Sequence, residues 1–436
     1  MRAANWHSAP LLAFVATLFA CADGPTASYR SLGSRNPDRK VDPQTVVVGT
    51  NNAAVDVPAV QAAVGPGGNV LLIGEFSFDI PPIAGRTILV TTATNIKGVG
   101  PDGTGRAVLH GGWRAFDVRA PGANVSIQGM YFDHPHFAAI ETEAARGILY
   151  SDNVVDHTSP EDMPPFGLVG TGFDFGALSP ASLTGDVTVV DNQITIGGLP
   201  TQRTYGIGLP LGAGTVADPV NVYIARNTIN DVTAHGIDMR NFEGRSVVEH
   251  NTISTGAVGG QQVALPDIFV DGIRALGTGS FTIRHNSITI GFANAAGIRL
   301  QGNTVAAGES QATIESNDIS IALPEETIFG TQNAGIDIRR AASTNSILHN
   351  EIRGIGRAAI ALTAESSPNS RGATLVPTGN VFLANNISTF NSTLADIYVG
   401  AGVVGTSITG GSGSLIDLGT GTTVTSEYSS NSRPRR

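Results

Sequence analysis

One cysteine in 436 residues leaves nothing for it to pair with, so no internal disulfide holds this chain and its stability must come from packing. Lysine is almost as scarce. Of 26 basic residues only Lys40 and Lys97 are lysines, so a cationic clamp or base would have to be Arg or His. Charged residues make up 14% of the chain, against roughly 25% in ordinary soluble domains. The net charge of −10 argues against a nucleic-acid partner. Tryptophan is confined to Trp6 and Trp113, which leaves little aromatic platform for stacking sugar rings. In place of these residues stand 54 glycines and an abundance of Val, Ile, Thr, Ser and Asn, a mixture that favours strands and tight turns over helices. The length exceeds one compact core, so several domains or one elongated repeat structure is expected.

Residues 11–20, "LLAFVATLFA", form an apolar run of ten, the size of a signal-peptide core and too short for a spanning helix. The run leads into Cys21. Leu18, Ala20 and Cys21 resemble the lipobox of bacterial lipoproteins, in which the cysteine is lipidated and becomes the new N-terminus. The alternative is ordinary secretion with cleavage after Ala22. Residues 22–44 read as a flexible tether, and 426–436 as a disordered tail. The expected product is exported and lipid-anchored in the cell envelope through Cys21, or else soluble in the periplasm or medium. It is expected to be monomeric and to touch the membrane only through that anchor.

Between these ends the chain repeats itself. An Asn, one free residue and Ile or Val recur at Asn153, Asn192, Asn227, Asn251, Asn286, Asn317, Asn350 and Asn385, with gaps of 39, 35, 24, 35, 31, 33 and 35 residues. Met130 occupies the same slot one repeat earlier. A Gly-Ile pair follows at a variable interval, at Gly206, Gly236, Gly272, Gly297 and Gly335, with Ala359 as a variant. A fixed motif with a variable gap marks a solenoid whose loops take insertions. Each turn then holds three short strands: one starts at Gly-Ile, one ends just before the Asn, one starts just after it. In "VDVPAVQAAVGPGG", Asp56 is placed to cap a short helix that the glycines of 65–68 stop.

These motifs, with the "DVPAVQAAVGPGGNVLLIG" segment ahead of them, resemble the right-handed parallel β-helix of the pectate-lyase-like superfamily. The resemblance covers about residues 45–425. It implies an all-β fold, a single-stranded right-handed parallel β-helix of about ten turns with a short N-terminal capping helix. In such a coil the Asn is expected to form the bend, because it tolerates the left-handed conformation, and to bond to its copies in the turns above and below. His250, His285 and His349 are placed at exposed corners.

Insertions collect beside the Gly-Ile strands. "GGLPTQRTYGIGL", "ALPDIFVDGIRAL" and "ALPEETIFGTQNAGIDI" follow every second Asn, as if a two-turn unit had been duplicated, and would wall one sheet into a groove. Alternation along "GIDMR" turns Asp238 and Arg240 outward, and the equivalent positions in later turns are Arg274, Arg299 and Asp337, then Arg339. Stacked arginines suit the carboxylates of an acidic polysaccharide. If the chain is an enzyme, Arg274 or Arg299, with its pKa lowered, is the expected base of a β-elimination like that of pectate lyases, with Asp238 and Asp337 binding or orienting the sugar, although no segment matches the calcium and arginine pattern of those enzymes. A solvated ion-pair ladder is the other reading of the same column.

A second cluster joins Asp133 and His134 to Asp156 and His157, with His136 and Glu141 nearby, and offers a divalent cation such as calcium a site or supplies an acid/base pair. Caps on strand ends would look the same. The Asp-Asp, Gly-His-Gly and Arg-Ile-Lys blocks of polygalacturonase-like chains are missing. Three functions stay open: a lyase or epimerase of acidic polysaccharide, a binder of glycan or an envelope partner without chemistry, and a rigid spacer.

Overall fold

The computed structural model describes residues 44–430, apart from 80–87, 158–166, 177–178, 180, 198–201, 210–211, 242, 257–269, 293–294, 303–310, 323–332 and 367–373. The signal-like run, Cys21 and the tether lie outside the described residues, as do the three Leu-Pro segments. No described helix is long and apolar enough to cross a membrane.

The chain winds as a parallel β-helix. In a typical turn one strand carries the Gly-Ile motif, such as His235–Arg240; a second precedes the Asn, such as Gly244–Glu249; a third follows it, such as Thr252–Thr255. Each pairs in parallel with its equivalents in the neighbouring turns. These three ladders are called here the first, second and third sheets. Among the described residues the third has 11 strands, and the first and second meet at Ser407–Asp417 to make a continuous 25-stranded sheet. One long apolar core runs inside from Val47 to Leu415, with a small separate cluster at Ala334, Ala358 and Ala361. It is rich in Phe near the N-terminus and in Ile through the middle turns. The final strand, Thr423–Ser430, extends into the segment expected to be disordered.

The helix Ala53–Val64 covers the N-terminal end. Its N-cap is Asn52, whose side chain accepts from Ala54 N–H, and not Asp56 as the sequence suggested. Asp56 instead lies buried inside the first helical turn. There it accepts from the backbone N–H groups of Thr50, Asn52 and Ser77 and from the Thr50 hydroxyl, tying the helix to the first turn of the coil.

The Asn-x-Ile repeat is a buried amide ladder. Asn286 Nδ2 donates to Asn317 Oδ1 (2.9 Å), to Val248 O (2.9 Å) and to Arg284 O (3.0 Å), and its backbone N–H also donates to Asn317 Oδ1 (3.0 Å). Asn251 donates in the same two ways to Asn286 Oδ1. The pattern continues from Asn153 to Asn385, and Met130 N–H joins it at the N-terminal end. The Asn is not the left-handed residue, however. That conformation belongs to the residue just before it: Asp152, Asp191, Arg226, His250, His285, Ser316, His349 and Ala384 all have φ between 49° and 59°. The Asn satisfies the buried backbone at the corner, and its predecessor makes the turn.

The two motifs also interlock. A Cβ on Gly172, Gly206, Gly236, Gly272, Gly297 or Gly335 would lie 2.3–2.6 Å from the Cγ2 of Ile194, Ile229, Ile253, Ile288, Ile319 or Ile352 respectively. Each glycine of Gly-Ile, and Gly172 ahead of Phe173 in an earlier turn, is thus the space taken by the isoleucine of Asn-x-Ile.

Candidate functional site

The first sheet carries a column of outward side chains in strict register: Asp117, Glu141, Asp174, Gly208, Asp238, Arg274, Arg299, Asp337, Ala361 and Tyr398, one per turn. Alternation had placed Asp238, Arg274, Arg299 and Asp337 in one line. Asp117 and Asp174 escaped the sequence reading, and Glu141 was read as a neighbour of the Asp133–His134 cluster and not as part of this column, because the strands "FDV", "IET" and "FDF" lack the Gly-Ile landmark. The apolar–acid step shared by these strands was the available signal.

The four residues first singled out are bound to one another and to partners the sequence did not reveal. Arg274 grips Asp238 with two bonds of 2.8 Å, and Arg240 holds the same carboxylate. Arg299 donates to Asp271 (2.8 Å) and to Asp337 (2.6 Å), and Arg339 links Asp337 to Glu365. His235 stands beside Asp271, with Nδ1 3.4 Å from Oδ2, and tilts against the Tyr205 ring. Most of this network is buried; the Arg299 side chain is 1% exposed. It is therefore not a solvated ladder.

Nor does it offer a base. Burial works against charge on Arg274, but Asp238 raises its pKa above the ordinary arginine value. Arg299 is enclosed between two aspartates. Burial pushes Asp238 up, and Arg274, His235 and Arg240 more than reverse that, holding it well below the usual carboxylate range. Burial drives His235 down toward the neutral form, while Asp271 is raised by its burial in spite of Arg299.

The acidic half of the column behaves differently. Glu141 is buried, and that burial lifts it to about 7 even with Arg114 alongside; Asp174, Asp117 and Glu143 add to the rise. Arg114 Nε touches Glu141 Oε2, but the contact is not aligned as a hydrogen bond. Asp174 is raised to about 6, chiefly by burial, against the pull of Arg114, the Phe175 N–H and Arg240. Among the described residues its carboxylate has no side-chain hydrogen bond. Arg114 also lies over the Phe137 ring (5.3 Å), which stacks on Trp113 (centroids 5.6 Å, 11°). The lone tryptophan of the coil thus edges the turns that hold the acidic half.

The second cluster is divided by the strand it sits on. Asp133 and Asp156 are register partners on adjacent turns of the third sheet. Asp133 bonds His110 (2.6 Å) and His134 (2.5 Å), and Asp156 accepts from Tyr131 OH (3.0 Å). His157 is one residue further along and so faces the interior. It is fully buried with neither ring nitrogen bonded, and burial, aided by His134 and His136, lowers it to about 3. The four do not form one ligand set. Among the described residues the carboxylates that approach as metal ligands would are Asp117, Glu141 and Glu143, all within 4.8 Å. Arg119 bonds Asp117 and Glu143, and Arg114 meets Glu141, so guanidinium already supplies the positive charge there.

No protein-family model matches the sequence, and no curated protein matches it. Among solved structures, the chain is similar to the A-module of the mannuronan C-5 epimerase AlgE6 of Azotobacter vinelandii. The identity is 14% over 86% of this chain and 95% of that one, with a TM-score of 0.45. Tailspike protein 3 of bacteriophage CBA120 is 14% identical over 78% of this chain and 58% of its own, with a TM-score of 0.33.

Proposed function

We propose that the protein holds an extended polysaccharide along the outward face of the first sheet and cleaves it with Glu141 and Asp174. The observation that supports this reading is their juxtaposition as register partners on adjacent turns of one outward column. Side chains on adjacent turns stand about 5 Å apart, close to the separation at which a second carboxylate attacks the anomeric carbon directly. Glu141, the more strongly raised of the two, gives its proton to the leaving glycosidic oxygen. Asp174, ionised above about 6, forms the bond to the anomeric carbon. Water then displaces Asp174 and returns its proton to Glu141, with retention of configuration. The arginine base of a lyase or epimerase finds no support here, since Arg274 is held protonated and Arg299 is enclosed.

A panel of neutral and uronic-acid polysaccharides tests the assignment, with new reducing ends and the ultraviolet absorbance of an unsaturated product read in parallel. Hydrolysis gives reducing ends without absorbance. Glu141→Gln and Asp174→Asn should each lower the rate at least 100-fold, with a bell-shaped profile between limbs near 6 and 7. Cleavage that survives both substitutions together, or that yields the unsaturated product, overturns the assignment.

Export belongs to the same proposal, because a polysaccharide-cleaving groove meets its substrate outside the cell. In the lipid-anchored form, Cys21→Ser moves the protein from the membrane fraction to the soluble one. A wild type already free in the medium removes the anchor and leaves the groove untouched.

A further inference from the structure

Two kinds of glycine sit in the first sheet. Six of them, from Gly172 to Gly335, are forced by packing, as their isoleucine partners leave no room for a Cβ. Gly208 is not. It faces outward and is half-buried, its φ is not positive, and a Cβ there would meet only Asp174 Oδ1, at an ordinary 3.6 Å. The fold would accept a side chain at this position. The neighbouring turns both carry one, Asp174 before and Asp238 after. A strand-interior glycine gives up conformational entropy and side-chain packing, and where packing does not demand it, close approach of a ligand is a physical reason to keep it.

Its absence of a side chain leaves a notch two turns wide, about 9–10 Å, between the two aspartates. The walls are chemically specific. Asp174 lacks a side-chain partner among the described residues. Asp238 is gripped by Arg240, whose side chain remains 29% exposed. Acceptor oxygens on the turn before and a guanidinium on the turn after match a pyranose with adjacent free hydroxyls. Of the three acids that precede the notch, Asp117 is paired with Arg119 and Glu141 carries the proton, so the repulsion of a carboxylate on the seated sugar comes from Asp174.

We propose that Gly208 is the seat of the sugar ring whose glycosidic bond is broken, and that it selects a neutral, hydroxyl-rich polysaccharide. This rests on the cleavage reading above. The ring lies against the bare backbone at Gly208, beside Asp174, with its hydroxyls between the two aspartates.

The test compares wild type, Gly208→Val, Gly208→Ala and Asp174→Asn for binding to immobilised neutral hexasaccharides (gluco-, manno- and xylo-configured) and to oligogalacturonate, with melting followed in parallel. A neutral hexasaccharide should bind wild type, while Asp174→Asn, which keeps a single acceptor oxygen, should bind it more weakly and turn none of it over. Gly208→Val should bind it at least 100-fold more weakly, with melting unchanged, and Gly208→Ala should fall between. Binding by Gly208→Val equal to wild type, while Glu141→Gln still abolishes turnover, overturns the seat and leaves the cleavage reading standing. Preference for oligogalacturonate overturns the substrate class. A wild type that binds no glycan in the panel overturns both.

Discussion

Gly272 and Ile288 share one space: a Cβ on the glycine would lie 2.3 Å from the isoleucine Cγ2 and 2.7 Å from the Gly297 carbonyl oxygen. The two repeats of the sequence are therefore one device, in which a vacancy on the first sheet receives a side chain from the third. Gly272→Ala should destabilise the protein by about 2–4 kcal/mol, as overpacking of a closed interior does. Ile288→Ala should cost about 2–5 kcal/mol by leaving a cavity. Made together, the two should cost clearly less than their sum, because the smaller side chain admits the new methyl group. Denaturant melts of the three variants measure this. Strict additivity would mean that the pair is not coupled.

The division of labour at the corner gives a second prediction. His285 adopts the left-handed conformation (φ 54°), and Asn286 supplies the hydrogen bonds. His285→Gly should be neutral or stabilise by up to about 1 kcal/mol, and His285→Val should cost about 1–2 kcal/mol. Asn286→Ala strands buried donors from Asn251 and should cost about 1–3 kcal/mol. Asn286→Gly should be no milder, since no left-handed residue is needed there. Thermal melts that rank Asn286→Gly well above Asn286→Ala would reverse this assignment.

Much of this was legible beforehand, and the particular residues show why. Stacking of identical Asn and Ile demands a coil, so the fold could be read from period alone. Asp238, Arg274, Arg299 and Asp337 could be aligned because Gly-Ile fixes their register. Burial and pairing could not be read. Asp271 reaches Arg299 from the preceding turn, and Glu365 reaches Arg339 from the following one, at separations of 28 and 26 residues, and nothing local announces such contacts. Asn286 was rightly placed in a ladder and wrongly given the bend, because the pattern marks a corner without saying which of its residues turns. His157 was readable: alternation along "VVDH" sends Asp156 and His157 to opposite faces.

Arg299 lies between Asp271 and Asp337 and is almost wholly enclosed. Arg299→Ala leaves two buried carboxylates without their shared cation and should destabilise by about 3–5 kcal/mol. Replacing the three charged residues together with apolar ones of similar volume should cost less, because Arg339, which loses Asp337, keeps Glu365. Calorimetric melts of the single and triple variants separate the two cases. A mild Arg299→Ala would mean that water reaches the network.

Glu141 and Asp174 should make the fold less stable as pH rises. Both have folded-state values above those of free carboxyls, at about 7 and about 6. Above about pH 4 the unfolded chain ionises them while the folded chain does not, so stability falls until the folded values are passed and then levels off. Glu141→Gln and Asp174→Asn should each raise the melting temperature more at pH 8 than at pH 4.5. An equal effect at both pH values would show that neither group is perturbed.

The corner residues have one further consequence. Asp152, Asp191, Arg226, His250, His285, Ser316, His349 and Ala384 share a backbone angle and almost nothing else, and all but the half-buried Ser316 point into solvent. The fold constrains their conformation and leaves their chemistry free. They form a graduated edge, one mark per turn at about 4.8 Å, on the outside of the coil. Along that edge the spacing of attached groups is set by counting turns: dyes, chelators or reactive thiols introduced there would sit at known multiples of a fixed interval. The imidazoles of His250 and His285, parallel within 11° with centroids 5.1 Å apart, are two adjacent marks on this scale.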